Sequence, residues 1–149
     1  MLRGHGDGTF TPLWPGESGL LVAGDGKALA VTDFNLDGWP DVVMAVNNDE
    51  ARAFENCAPR SGRRLAVELD GRRGNAAGIA ARVKLVLADG TVRVAGVHAG
   101  GGYLSQSTGR LSFGLGAADR PDRIEVRWAS GRTSTVSPVP DHGSVRVSE

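Results

Sequence analysis

The sequence carries a single cysteine, Cys57, among 149 residues. One cysteine forms no internal disulfide, so cysteine usage leaves the redox compartment open, and no histidine stands beside it in sequence to activate a thiolate. An excess of charge of one sign is also missing. The 17 basic and 17 acidic residues cancel, which disfavours any function resting on bulk attraction to nucleic acid or to an anionic membrane. No run approaches the roughly 18 consecutive apolar residues of a membrane-spanning helix. The opening Met1-Leu2-Arg3-Gly4-His5-Gly6 lacks the apolar stretch of a signal peptide. Histidine is scarce, and His5, His98 and His142 are too far apart to form a metal-ligating pair of the H-x₃₋₅-H kind. No G-x-S-x-G elbow is present. With no catalytic constellation in view, the expectation is a protein that is not an enzyme.

Glycine, by contrast, is abundant. The 22 glycines and seven prolines punctuate many short strands, and one stretch stands out among the turns they make: Asp33-Phe34-Asn35-Leu36-Asp37-Gly38-Trp39-Pro40-Asp41. Oxygen-bearing side chains fall at every second position from Asp33 to Asp37 and again at Asp41, with glycine in sixth place. Ca²⁺ takes six to eight oxygen ligands, and a D-x-[DN]-x-[DN]-G run offers three from alternate residues while the glycine admits the sharp turn. The expected ligands are Asp33, Asn35, Asp37, the main-chain carbonyl of Trp39, and Asp41. An EF-hand would need a glutamate at the twelfth place, where Met44 stands, so Asp41 must close the shell. Short apolar runs at 28–31 and 42–46 flank the loop and read as strands. The competing reading is a plain turn, since Asp, Asn and Gly are common turn residues. A plain turn needs only two to five residues and leaves the ligand spacing across nine unexplained.

The first 57 residues repeat a simple grammar of turn, strand, charged loop, strand, turn and strand. Gly6-Asp7-Gly8-Thr9-Phe10, Glu17-Ser18-Gly19-Leu20, Ala30-Val31-Thr32-Asp33 onward, and Phe54-Glu55-Asn56 together resemble the FG-GAP or VCBS repeat. The resemblance implies one blade of a β-propeller carrying calcium in its strand-to-strand loop. A lone blade cannot close a propeller, and its edges would stand unpaired. It is therefore expected to belong to a longer parent chain or to pack against the second half of this one.

Pro59-Arg60-Ser61-Gly62-Arg63-Arg64 reads as a linker, and its arginines with Arg72 and Arg73 make a short basic cluster best explained as a solvated loop. No nucleic-acid partner is expected. Beyond it apolar residues alternate. Leu65, Val67 and Leu69 share one strand face, as do Val83, Leu85 and Leu87, and then Ile124, Val126 and Trp128. Leu111 and Phe113 begin another strand, Asp89-Gly90 and Ser130-Gly131 read as tight turns into 91–98 and 133–136, and residues 144–147 could close the sheet. Such a series suggests a β-sandwich or barrel. Asn75-Ala76-Ala77-Gly78-Ile79-Ala80-Ala81-Arg82-Val83, Gly100-Gly101-Gly102-Tyr103-Leu104-Ser105-Gln106-Ser107, Phe113-Gly114-Leu115-Gly116 and Val126-Arg127-Trp128-Ala129-Ser130-Gly131 resemble the ASPIC/UnbV domain. Ala80 and Ala129 depart from the glycine and proline usual there. In the cartilage acidic protein-like family this domain comes after FG-GAP-like repeats at the C-terminus, the order seen here.

The glycines at 100–102 lack the helix or lysine that a phosphate cradle needs, and read as a bend. Tyr103, Ser105 and Gln106 offer an aromatic ring, a hydroxyl and an amide to a sugar or peptide. The expected architecture is thus all-β: a β-propeller-blade-like calcium repeat at 1–58 followed by an antiparallel β-sandwich at 59–149. The expected role is a calcium-binding adhesion or ligand-binding module, the C-terminal part of a longer chain, meeting a protein or glycan ligand at the cell surface or in the matrix. Extracellular modules bind calcium at about 10⁻⁴ to 10⁻³ M, which suits a secreted, periplasmic or cell-surface setting. The alternatives are a carbohydrate-binding accessory module of a secreted enzyme, with Trp14, Tyr103 or Trp128 as stacking platforms, and part of a biosynthetic enzyme.

Overall fold

Turn residues cut the chain into short strands. The computed structural model describes residues 1–57, 62–72 and 74–149. The expected boundary at 58/59, the linker residues Pro59, Arg60 and Ser61, and Arg73 lie outside the described residues. Strands β1 (Leu2–Gly4) and β2 (Phe10–Pro12) form an antiparallel hairpin. Asp7 holds its turn, its Oδ1 accepting from the Thr9 amide at 2.9 Å and the Thr9 hydroxyl at 2.6 Å. Pro15 and Gly16, which as local breakers are expected to end regular structure after β2, do not do so. They open the single helical turn α1 (Pro15–Ser18), where a proline in the first turn loses no hydrogen bond, and Glu17 Oε2 accepts from the Trp14 amide at 3.0 Å.

Strands β3 (Gly26–Thr32), β4 (Asp41–Val46) and β5 (Arg52–Phe54) form a three-stranded antiparallel sheet in chain order. Thr32 pairs with Asp41 at its end, so the loop 33–40 is the β3–β4 connection. Among the described residues the second half supplies seven further strands: β6 (Arg63–Asp70), β7 (Arg82–Leu87), β8 (Val92–Gly96), β9 (Leu111–Leu115), β10 (Pro121–Arg127), β11 (Thr133–Val136) and β12 (Gly143–Ser148). They form two sheets, β11-β10-β7-β8 and β12-β6-β9, that share one apolar core. The alternating residues fill it. Leu65, Val67, Val83, Leu85, Ile124 and Val126 are all fully buried, each stabilising the fold by about 1.5–3 kcal/mol relative to exposure.

Two expectations are corrected here. The sandwich is not antiparallel throughout, because β12 runs parallel to β6 from the Gly143–Leu65 pair to the Ser148–Asp70 pair. The chain leaves β11 in one sheet and crosses to the other, so β12 reaches β6 without the hairpin that would reverse its direction. Arg63 and Arg64 are not linker residues but the first two of β6, paired with Leu115 and Gly114.

The outer edge of β3 meets the second half of the chain. The Val31 carbonyl accepts from the Thr108 amide at 3.0 Å, and the Val31 amide donates to Ser107 Oγ at 3.1 Å. The first sheet therefore packs against the second half. This also explains Ala66, which alternation places on the polar face of β6 but which is fully buried, in the wall between the halves. No helix among the described residues is long and apolar enough to cross a membrane.

Candidate cation loop

The loop 33–40 is shaped by its own side chains. Asn35 Oδ1 accepts from the Asp37 amide at 3.0 Å, and Asp37 Oδ1 from the Trp39 amide at 2.8 Å. These two successive Asx turns place Leu36 and Gly38 in the left-handed region, at φ 59° and 91°. Asp41 is the bracket. It is 1% exposed, and its two oxygens accept from the amides of Phe34 at 3.1 Å and Asn56 at 2.8 Å. The loop entrance is thereby tied to β4 and to the segment after β5. Asn56 adds a bond from its side-chain amide to the Pro40 carbonyl at 3.2 Å, and Asn35 one to Glu55 Oε1 at 3.1 Å.

Asp33 is the least settled of the five expected ligands. Its Oδ2 lies 3.4 Å from Arg110 Nη1, while Oδ1 is buried with no hydrogen-bond partner among the described residues. A buried oxygen of this kind carries a desolvation cost that a cation would relieve. Asp33, Asn35, Asp37 and Asp41 also supply the hard oxygen donors that Ca²⁺ prefers, so the residues fit such an ion. They do not already form a carboxylate cage: among the described residues no three His, Cys, Asp or Glu side chains converge to hold a metal.

Two cationic side chains from the second half close on the loop. Arg110 bridges Asp33 and Glu68, its Nε 3.3 Å from Glu68 Oε1, and Glu68 in turn meets Arg146 at 3.3 Å. Arg64, at the start of β6, lies over the Trp39 ring with its Cζ 6.0 Å from the centroid, at the outer limit of a cation–π contact. A Cβ built on Gly38 would collide with this guanidinium, lying 2.8 Å from Cζ. Burial draws the Arg64 pKa below its ordinary value and Arg110 adds to that, while Asp33 and Asp37 oppose it. Neither arginine was legible as part of the site. Arg64 sits in a run that reads as a basic linker, and Arg110 is 77 positions from Asp33.

The sequence has counterparts among known proteins. The family described as ASPIC and UnbV matches residues 71–149, more than half of the chain. The chain belongs to this family. It is also similar to mouse (Mus musculus) cartilage acidic protein 1, 31% identical over 133 residues that cover 87% of this chain. That alignment is longer than the family segment, so it runs into the half that holds the loop. The chain spans about a fifth of that protein's length.

In this ASPIC and UnbV chain the other expected site residues serve different ends. Gln106 braces its own loop, with Nε2 donating to the carbonyls of His98 at 3.0 Å and Ser107 at 2.9 Å while Oε1 accepts from the Gly100 amide. Ser105 Oγ is buried without a partner among the described residues. It lines an open hollow of about 430 Å³ with Tyr103, Leu29 and Met44. Tyr103 is 72% exposed there and Trp14 is 75% exposed elsewhere. Trp128 is no stacking platform, being buried in the core and donating from Nε1 to Ser134 Oγ at 2.9 Å.

Proposed function

We propose that this chain is a calcium-stabilised adhesion or ligand-binding module of an exported protein, combining an FG-GAP or VCBS-type repeat, as one propeller blade, with its ASPIC and UnbV sandwich. The observation that carries the reading is the set of oxygen donors at alternate positions of the β3–β4 loop, with one buried oxygen of Asp33 left without a partner among the described residues. Bound calcium would supply a crosslink between those oxygens. Asp33, Asn35, Asp37 and Asp41 would hold it, with the Trp39 carbonyl as a further donor, and each would keep the shape of a loop on which the first sheet's junction with the sandwich depends. Drawing the loop carboxylates to within a few ångströms of one another would cost up to about 4 kcal/mol per pair at an effective dielectric near 20, and this is the cost that the ion would offset. The similarity to a protein named for cartilage supports an extracellular setting, where calcium is plentiful enough to fill the weak sites usual for extracellular modules. The larger size of that relative supports a place within a longer parent chain.

Calcium titration followed by thermal unfolding tests the reading, on this chain and on Asp37→Ala. A ligand confined to the folded state adds about 2.7 kcal/mol at a hundredfold excess over Kd, so the midpoint should rise by several degrees in the native chain and stay fixed in the variant. If the midpoint is unmoved in both, the loop is a turn and the exported, calcium-dependent reading falls with it.

A further inference from the structure

The loop that would take a cation already has one beside it. Arg64 reaches from the start of β6 to the backbone of Gly38, and its guanidinium occupies the place an added Cβ would take there. Its guanidinium lies over the Trp39 ring and feels the charges of Asp33 and Asp37. Arg110, 3.4 Å from Asp33 Oδ2, stands beside it. Asp33, Asp37, Glu68, Arg64, Arg110 and Arg146 thus form a charge cluster across the junction between the β3-β4-β5 sheet and the sandwich. All the positive charge in it comes from the second half.

From this geometry we infer that Arg64 sets the affinity of the loop for a divalent cation, by serving as the loop's own counter-charge when no ion is bound. The inference rests on the calcium reading above. A guanidinium against Gly38 offsets part of the repulsion among the loop carboxylates, but at lower charge density than a divalent ion and without displacing the amides that Asn35, Asp37 and Asp41 accept from. Once a divalent cation is held by Asp33 and Asp37, the same guanidinium is a like charge at close range. Binding therefore works against Arg64, and by linkage Arg64 works equally against binding. The halves are coupled by the same exchange, since Arg64 belongs to β6 and its counter-charges to the β3–β4 loop. A weak site is the result, in keeping with a setting where free calcium is plentiful.

The test is the dissociation constant for Ca²⁺ alone, measured by calorimetry on the chain, on Arg64→Gln and on Arg64→Lys, with thermal midpoints taken in chelator and in saturating calcium. Arg64→Gln should bind on the order of tenfold more tightly, and Arg64→Lys, which keeps the charge, should stay within a few-fold of the native chain. Without calcium Arg64→Gln should melt below the native chain, and in saturating calcium that gap should close. Unchanged or weaker binding by Arg64→Gln, with the native chain still binding, would overturn the role of Arg64 while leaving the calcium site intact. Absence of binding by every protein would overturn both. Should Arg64→Gln fail to fold, Arg64→Met carries the same test, with tighter binding expected and unchanged binding refuting it.

Discussion

Gly38 has two reasons to be glycine, and they can be separated. Its φ of 91° lies in the left-handed region, which costs a residue with a Cβ about 1 kcal/mol or more. Its Cβ position is also taken by Arg64. Gly90 shares the first reason without the second: its φ is 87° and nothing lies within 4 Å of an added Cβ. Denaturant unfolding should therefore show Gly90→Ala losing about 1 kcal/mol and Gly38→Ala somewhat more, because the flexible end of Arg64 must swing aside and give up its place over the Trp39 ring. In an Arg64→Ala background the excess should vanish, because the clash has no partner, and the double-mutant cycle reads the coupling directly. Equal losses for Gly38→Ala in both backgrounds would mean that Arg64 yields its place without cost. The glycine itself was legible in the D-x-N-x-D-G spacing, but only its turn, since nothing local to the loop announces a side chain from β6.

Among the elements, the short β9–β10 connection joins the two sheets through one carboxylate. Asp119 Oδ2 accepts from the Gly116 amide at 2.6 Å and from Arg93 Nη2 of β8 at 2.6 Å. The Gly116 amide, and then Arg93 and Arg63, hold its pKa below the ordinary carboxylate value. A carboxylate depressed on folding contributes stability that is fully present above its unfolded pKa, near 4, and is lost as the pH falls through the lower folded value. Asp119→Asn removes that titration. Across urea melts from pH 7 to pH 2 the variant should be the less stable protein at pH 7 and should close on the native chain below about pH 4. A constant gap at every pH would mean that the contact, and not the charge, is what matters. The strands around this turn were legible because one buried face alternates with one exposed face: Val83 and Leu85 in β7, Ile124 and Val126 in β10. The parallel pairing of β12 with β6 was not, because alternation says which face a residue takes and nothing about the direction of the neighbour.

Across the whole molecule the burial is uneven. The fully buried apolar side chains belong to the sandwich, whereas in the β3-β4-β5 sheet only Asp41 and Val46 are buried among the described residues. Three short strands with so little apolar cover are marginal alone, and the sheet's outer edge is met by Ser107 and Thr108 of the second half. Sequence pattern divides the chain into a repeat and a sandwich and is silent on this dependence, which rests on contacts between residues far apart in sequence, such as Val31 and Ser107, 76 positions from each other. The consequence is that damage to the sandwich core should be felt in the cation loop. Ile124 is fully buried in β10, paired with Leu85 and Val136, and Ile124→Ala should cost about 2–5 kcal/mol through lost burial and the cavity left behind. If the halves unfold as one cooperative unit, hydrogen exchange should show the Val31 and Val43 amides losing protection by the same free energy as Val83 and Leu85. If the first sheet instead folds by itself, its amides should keep their native protection while those of β7 and β10 lose theirs. Shared loss is the expected outcome, because the Asp33 carboxylate and the edge of β3 find their partners only on the folded sandwich.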